Sequence, residues 1–331
     1  MFFSYNNENI RYTGRFGEVK KEGLPSSMTS TATGAQIEFN FIGDALQLEF
    51  DVSHSDFPRA HLYIEVDGGA RIQTPVEKYI RVTAKNHGEH SIKIIVKSGV
   101  EYLDRWKLPL NSKVAFVGFN ADGIAPIVPD ERKTVEFIGD SITEGILVAE
   151  EYVYEDERFN RPWQDDATST YAWLFAEAMN LRPYPMGYGS VGVTRGGNGG
   201  VPKAAEAYPY NFDGSPITYP SCDYIVINHG ANDRIPGTNT PKPEYLPEYE
   251  GLLKLVRSRN PEAKIIVLSP FCGAMDDILP EFVESFNKDN NDSVYYISSH
   301  GWVPLEPLHP LRDGHKIIAK NLTEEFKKLG I

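Results

Sequence analysis

Four short blocks of this chain carry residue types that perform acyl transfer. The first is Phe137-Ile138-Gly139-Asp140-Ser141-Ile142-Thr143-Glu144-Gly145. Aromatic and β-branched residues lead into Gly139, which permits a sharp turn, and Asp140-Ser141 are residues that start helices. A serine at that turn exposes its hydroxyl at the carboxyl end of a strand. Its own N–H points from a nascent helix N-terminus, where negative charge is stabilised. An acyl-transfer nucleophile needs both properties.

The other blocks follow other strand-like runs. They are Gly187-Tyr188-Gly189-Ser190-Val191-Gly192-Val193-Thr194, His229-Gly230-Ala231-Asn232-Asp233 and Glu306-Pro307-Leu308-His309-Pro310. In an open parallel sheet, ligands bind at the carboxyl ends of the strands. A serine, a glycine loop, an asparagine and a histidine are therefore expected on one rim, although 309 − 141 = 168 positions separate Ser141 from His309. Asp140 and Asp233 read as hydrogen-bonding residues that tie turns together. His315 lies inside a helical pattern and reads as packed, whereas His309 precedes that helix beside Pro310 and is the expected base. His229 reads as sheet-end packing. His54, His61, His87 and His90 lack ligand spacing, and neither a metal nor a cofactor is expected.

Two kinds of periodicity must position these blocks. Up to about residue 125, apolar residues alternate with polar ones: Leu46, Leu48, Phe50 and Val52, then Leu62, Ile64 and Val66, then Ile92, Ile94 and Val96. Turn signals such as Asp67-Gly68-Gly69 separate them, and no amphipathic helix intervenes. Residues 1–125 are therefore read as an antiparallel β-sandwich of jelly-roll type. Asp122 to Asp130 contains two prolines and reads as a short, stiff connector. Residues 130–331 alternate strand and helix, with strands expected over 134–138, 182–186, 223–228, 264–269 and 293–297. Helices are expected over 170–179, 245–259, 275–287 and 314–328. That alternation implies an α/β unit, a parallel sheet with helices on both faces. Residues 147–168 break it, as a loop rich in Glu, Asp, Tyr and Arg that overhangs the serine.

Composition narrows the partners. The 331 residues include 33 basic and 46 acidic side chains, for a net charge of −13. That excludes nucleic acid and anionic membrane as natural partners, because both reward clusters of Lys and Arg. No run reaches the roughly 20 apolar residues that span a bilayer. The first residues lack the basic and apolar regions of a secretory signal, so the expected location is cytoplasmic, or outside the cell if a leader has been removed. Cys222 and Cys272 read as isolated buried thiols. Trp163, within the overhanging loop, and Trp302, ahead of the histidine block, are candidates either for stacking on a sugar ring or for packing beneath loops. The oligomeric state is not legible.

The blocks Gly139-Asp140-Ser141, Ser190-Val191-Gly192, Gly230-Ala231-Asn232-Asp233 and His309-Pro310 resemble, in order, those of the SGNH hydrolases, or GDSL esterase/lipase superfamily. The resemblance covers roughly residues 130 to 331. It implies a three-layer α/β/α, flavodoxin-like hydrolase domain. A β-sandwich ahead of such a domain is similar to carbohydrate esterase family 2, which deacetylates sugars and plant polysaccharides. The implied roles are Ser141 as nucleophile, His309 as general base, and Ser141, Gly192 and Asn232 as oxyanion donors. The superfamily places an aspartate three residues before the histidine. Here that position holds Glu306, implied either as the triad acid or as a bystander to a Ser–His dyad. The implied substrate is an O-acetylated sugar, oligosaccharide or xylan/mannan fragment, or another small ester. A lipid- or thioester-directed hydrolase and a non-catalytic carbohydrate-binding protein are the alternatives.

Overall fold

The structure is a computed structural model that describes residues 1–20, 22–238 and 240–331. Ten strands come first: β1 (Phe2–Ser4), β2 (Arg11–Thr13), β3 (Gly17–Val19), β4 (Ser27–Ser30), β5 (Gln36–Phe50), β6 (His61–Val66), β7 (Ile72–Pro75), β8 (Tyr79–Ser98), β9 (Val114–Asn120) and β10 (Gly123–Ala125). They form one antiparallel sheet ordered β3-β4-β9-β5-β8-β6-β7, with β1 on β9 and both β2 and β10 on β5. The long pair β5–β8 lets the sheet fold over a single core. A bulge between Gly43 and Ala45 interrupts its register. Before the bulge the buried residues are Ile37, Phe39 and Phe41; after it they are Leu46, Leu48 and Phe50. The extra residue reverses the alternation, so both halves of β5 face the same core.

The second unit holds β11 (Thr134–Gly139), β12 (Arg182–Gly187), β15 (Tyr224–Asn228), β16 (Lys264–Leu268) and β17 (Tyr295–Ile297), with a small hairpin of β13 (Tyr210–Phe212) and β14 (Ser215–Pro216). The five are parallel and ordered β12-β11-β15-β16-β17. Its helices are α1 (Ser141–Glu144), α2 (Glu157–Gln164), α3 (Tyr171–Ala178), α4 (Ala204–Ala207), α5 (Tyr245–Arg259), α6 (Leu279–Asn290) and α7 (Arg312–Lys328). Phe137, Val226, Ile266 and Leu268 pack toward α3 and α7, whereas Ile138, Ile227, Ile265 and Val267 pack toward α5 and α6. Both faces of the sheet are covered, giving three layers. The strand order reverses across β11, and the crevice at that switch point lies beside the end of β11, where Ser141 follows.

Two elements differ from the sequence expectation. The helix expected over 275–287 starts at Leu279 and runs to Asn290, because Met275 adopts left-handed backbone at φ 68° and Pro280 suits a helix start. The 147–168 loop contains a helix, α2, whose N-cap Asp156 accepts from the Arg158 N–H.

Buried cations join the two units. Arg15, fully buried, donates to the carbonyls of Tyr208 and Tyr210 and to Glu136. Lys97 Nζ donates to the carbonyls of Pro162, Trp163 and Asp165, at 2.7, 3.2 and 2.7 Å, and burial lowers its pKa to about 8. Arg105 pairs with Glu144, with both side chains buried.

Candidate active site

The turn that presents Ser141 is built by close packing. A Cβ on Gly139 would collide with the Thr143 hydroxyl, and one on Gly187 would collide with the backbone of Thr143 and Glu144. These glycines allow α1 to begin directly at the end of β11 and to lie against β12. Asp140 caps the helix by accepting from the Ile142 N–H at 3.0 Å. The Ser141 N–H belongs to the first turn, which offers it no intrahelical acceptor. Asp140 is buried, and that burial pushes its pKa up to about 7.

His309 arrives from the far end of the chain, on the loop between β17 and α7. That loop is pinned beside the serine turn, where the Arg312 N–H donates to Val148 O at 3.1 Å. His309 Nε2 and Ser141 Oγ lie 2.8 Å apart. Burial lowers the His309 pKa below the ordinary imidazole value; Glu101 opposes the shift and Arg161 adds to it. The ring is therefore neutral near pH 7, as a proton acceptor must be.

Asn232 stands on the same rim after β15, and its Nδ2 donates to Asp140 Oδ2 and Val191 O at 3.2 and 3.1 Å. Asp233 holds the neighbouring loop, accepting from the N–H groups of Val193 and Thr194 and from the Thr194 hydroxyl. The turn-tying role read for Asp233 matches this arrangement. His315 is buried and neutral, its pKa lowered by burial to about 3, and its Nδ1 accepts from the Tyr171 N–H. It serves α3, not the serine. His229 is fully buried, with its pKa lowered by burial to about 4 and no partner for either ring nitrogen among the described residues.

The geometry favours the bystander reading for Glu306 and gives Gly192 a place other than its implied one. Glu306 is exposed, and among the described residues its carboxylate makes no hydrogen bond to His309. The structure brings together a Ser–His pair, not a triad through Glu306. The Gly192 N–H is already donated to Arg195 O at 3.0 Å, inside its own loop, so it does not face the serine. The two tryptophans pack: Trp163 meets the His61 ring edge-on at 4.8 Å, and Trp302 lies half-buried against the core beneath α7.

The sequence reading missed what the antiparallel unit contributes. Its loop between β8 and β9 carries Glu101 and Arg105 to the rim. Arg105 binds Glu144 through both terminal nitrogens, and Glu144 Oε2 accepts the Gly189 N–H at 2.6 Å. Burial raises the Glu144 pKa while Arg105 pulls it down. Glu101 binds Arg161 at 2.6 Å and Asn198 at 3.1 Å, and it presses against Gly189. The helix bearing Ser141 and the loop after β12 are thus held by residues outside the α/β unit. Glu144 stands within the first block, and an acid beside Gly145 was the one available signal.

The model of the GDSL-like lipase/acylhydrolase family matches residues 137–317. An acetylxylan esterase/glucomannan deacetylase of Cellvibrio japonicus is 25% identical over 256 residues, spanning 74% of this chain and 68% of that protein. A family two carbohydrate esterase from C. japonicus superposes with a TM-score of 0.79 at 19% identity, covering 99% of this chain and 97% of the other. An acetyl xylan esterase from the rumen bacterium Butyrivibrio proteoclasticus superposes at 0.75 and 21% identity, covering 100% and 98%. The shared fold thus includes both units.

Proposed function

We propose a reaction from one premise: the chain belongs to the GDSL-like lipase/acylhydrolase family. The reaction is hydrolysis of an O-acetyl ester on a sugar, oligosaccharide or xylan/mannan fragment, through an acyl-enzyme on Ser141. The 2.8 Å contact between Ser141 Oγ and His309 Nε2 carries this reading. The named activities of the C. japonicus and B. proteoclasticus proteins support the substrate class.

His309 takes the serine proton as Oγ attacks the ester carbonyl, and returns it to the leaving sugar hydroxyl. The oxyanion is met by the Ser141 N–H and by the Asn232 amide, whose two N–H groups rest on Asp140 Oδ2 and Val191 O and one of which turns to the oxyanion as it forms. One such donor is worth roughly 2.7–4 kcal/mol in the transition state. Water then attacks the acetyl-serine, with His309 again as base, releasing acetate. Asp140 and the Val191 carbonyl hold Asn232 in place, and Arg105 with Glu144 fixes the helix that supplies the first donor.

Acetate release from acetylated xylo-oligosaccharide, and turnover of p-nitrophenyl acetate, test the reading. Ser141→Ala should abolish both. Near wild-type turnover in that variant would overturn the mechanism, and activity that rises with acyl length would replace the sugar deacetylase with a lipid-directed hydrolase.

A further inference from the structure

The reaction above uses nothing from residues 147–157, the segment that leaves the nucleophile helix. Its first residues are tied down beside the serine turn. The Leu147 N–H donates to Asp165 Oδ1 at 2.8 Å, the Ala149 N–H to Gln164 O at 2.9 Å, and Arg312 pairs with Glu151 at 3.0 Å. Arg312 follows the base, His309, by three positions. The next three residues, Tyr152-Val153-Tyr154, carry side chains that are 73%, 56% and 50% exposed.

This exposed tip is firmly held. Asn160 of α2 is buried and directs its whole amide at it. Its Oδ1 accepts from the N–H groups of Val153 and Tyr154 at 2.7 and 2.9 Å, and its Nδ2 donates to Tyr154 O at 2.7 Å. The Tyr154 ring leans on Phe159, with centroids 6.0 Å apart. From the antiparallel unit, the Tyr102 hydroxyl donates to Arg158 O on the same helix at 2.9 Å. One turn further along α2, Arg161 binds Glu101, and its charge reaches His309. The tip, α2 and the base thus belong to one braced group.

Single exposed apolar residues are ordinary, but three in succession on a braced loop beside a reactive serine make a contact surface. Tyrosine suits such a surface, with a flat apolar face, a polar edge and few torsions to immobilise. A pyranose ring is its counterpart, with C–H groups on its faces and hydroxyls at its rim. Trp163 and Trp302 pack inward and do not supply that face. Charge then selects the occupant. Residues 147–157 include Glu150, Glu151, Glu155, Asp156 and Glu157 and no basic residue. Arg158 and Arg312 pair with only two of these, Asp156 and Glu151, so the flank stays acidic. An acidic flank repels an anionic lipid surface and a uronate-bearing glycan, whereas a neutral sugar chain meets no such penalty.

Resting on the sugar-ester reading above, we propose that Tyr152 and Tyr154 form a stacking platform for the neutral sugar chain that carries the ester. The platform holds rings beyond the one whose acetyl group lies at Ser141.

The test uses the full chain and three substrates: an acetylated xylose, a neutral acetylated xylohexaose, and the same hexasaccharide with a glucuronic acid branch. Acetate release gives kcat/KM for each. The hexasaccharide should exceed the monosaccharide, and Tyr152→Ala and Tyr154→Ala should each cut that ratio about two- to tenfold, through KM. Tyr152→Phe, which keeps the ring, should retain the ratio. Tyr79→Ala, at an exposed tyrosine of β8, should leave it unchanged. The branched substrate should be slower than the neutral one at low salt, and salt should narrow the gap. Equal kcat/KM at both lengths, or a ratio that the alanine variants do not move, overturns the proposal while leaving the esterase intact. A branched substrate as good as the neutral one at low salt also overturns it, as does a Tyr152→Ala chain that sediments as a smaller oligomer, which would make the tip an interface between copies. No acetate from any sugar, with p-nitrophenyl acetate still hydrolysed, overturns the sugar-ester reading and this proposal together.

Discussion

Two arginines of the antiparallel unit cross into the parallel-sheet unit, and each ends on a buried glutamate beside the nucleophile strand. Arg15 meets Glu136 inside β11; Arg105 meets Glu144 at the end of α1. All four side chains are at most 1% exposed. Around Glu136 the hydroxyls of Tyr208 and Tyr219 donate to the carboxylate, and the carbonyls of Tyr208 and Tyr210 accept from the arginine. Around Glu144 the second carboxylate oxygen takes the Gly189 N–H, in the loop that borders the serine. A buried charge is tolerable only when its bonds are satisfied. Both pairs meet that condition at the carboxylates and the terminal guanidinium nitrogens, leaving each arginine Nε without a partner among the described residues, but only one does so with backbone from the catalytic rim. Position along the strand, not bond chemistry, separates a staple from a part of the site.

Single substitutions give the largest test of that difference. Removing one partner leaves an uncompensated buried charge, so Arg15→Met and Arg105→Met should each cost about 3–5 kcal/mol of unfolding free energy. Glu136→Gln and Glu144→Gln, which keep shape, should cost less. Denaturant midpoints measure this effect. At temperatures where all four variants remain folded, kcat on p-nitrophenyl acetate should fall at least tenfold in the Glu144 and Arg105 variants, and change little in the Glu136 and Arg15 variants. Equal kcat losses at both pairs would show that the rim answers to global stability and would erase the distinction.

Acid distinguishes the two units less sharply. Burial lowers the pKa of His61, in the antiparallel unit, to about 3, and those of His229 and His315, in the parallel unit, to about 4 and 3. A folded pKa below the unfolded value of 6.5 means that the unfolded chain binds the extra proton. The stabilisation is fully present above pH 6.5 and is lost as pH falls from 6.5 toward 4. Each group contributes about 1.4 kcal/mol per pH unit in that window. His315→Gln should lower stability at pH 7 and flatten the acid slope by about one proton. His61→Gln should do the same, and equal changes would show that the units unfold together. A slope that neither variant changes would remove these rings as the cause.

The parallel sheet was legible in the sequence because its strands are short apolar runs that end in punctuating residues. Tyr245–Arg259 and the ends of β11 follow from periodicity and from Gly139 alone. The pairing of Ser141 with His309 followed from the rule that ligands gather at strand ends. The roles of Glu306 and Gly192 did not follow, because a fixed offset says nothing about where a side chain points once Pro307 and Pro310 bend the loop, or which carbonyl captures an N–H. The reach of Glu101 and Arg105 was invisible for another reason. They belong to the other unit, and nothing local in a loop between two strands records what it will touch.

Glu101 offers a finer test of whether the antiparallel unit acts on the chemistry. Its carboxylate raises the His309 pKa against the lowering by burial. Glu101→Gln should therefore move the acid limb of kcat/KM further below 6.5, by less than one pH unit. Arg161 would then keep Asp165 but lose Glu101 as a carboxylate partner, which pushes in the same direction. A limb that stays in place would confine the influence of the antiparallel unit to the Arg105 clamp.

The smallest expected effect belongs to the residue that the sequence left open between triad acid and bystander. Glu306 precedes His309 by the triad spacing, but its side chain points to solvent, where an ion–imidazole interaction is weakened by water and screened by salt. Glu306→Gln should leave kcat within about twofold, and the acid limb where it is. If Glu306 swung inward to orient the ring in the working enzyme, the same substitution would remove both a charge and a tautomer lock. The loss would then exceed tenfold, about 1.4 kcal/mol. That outcome would make the parallel unit self-sufficient for its base and leave only the clamp at Glu144 to the antiparallel one.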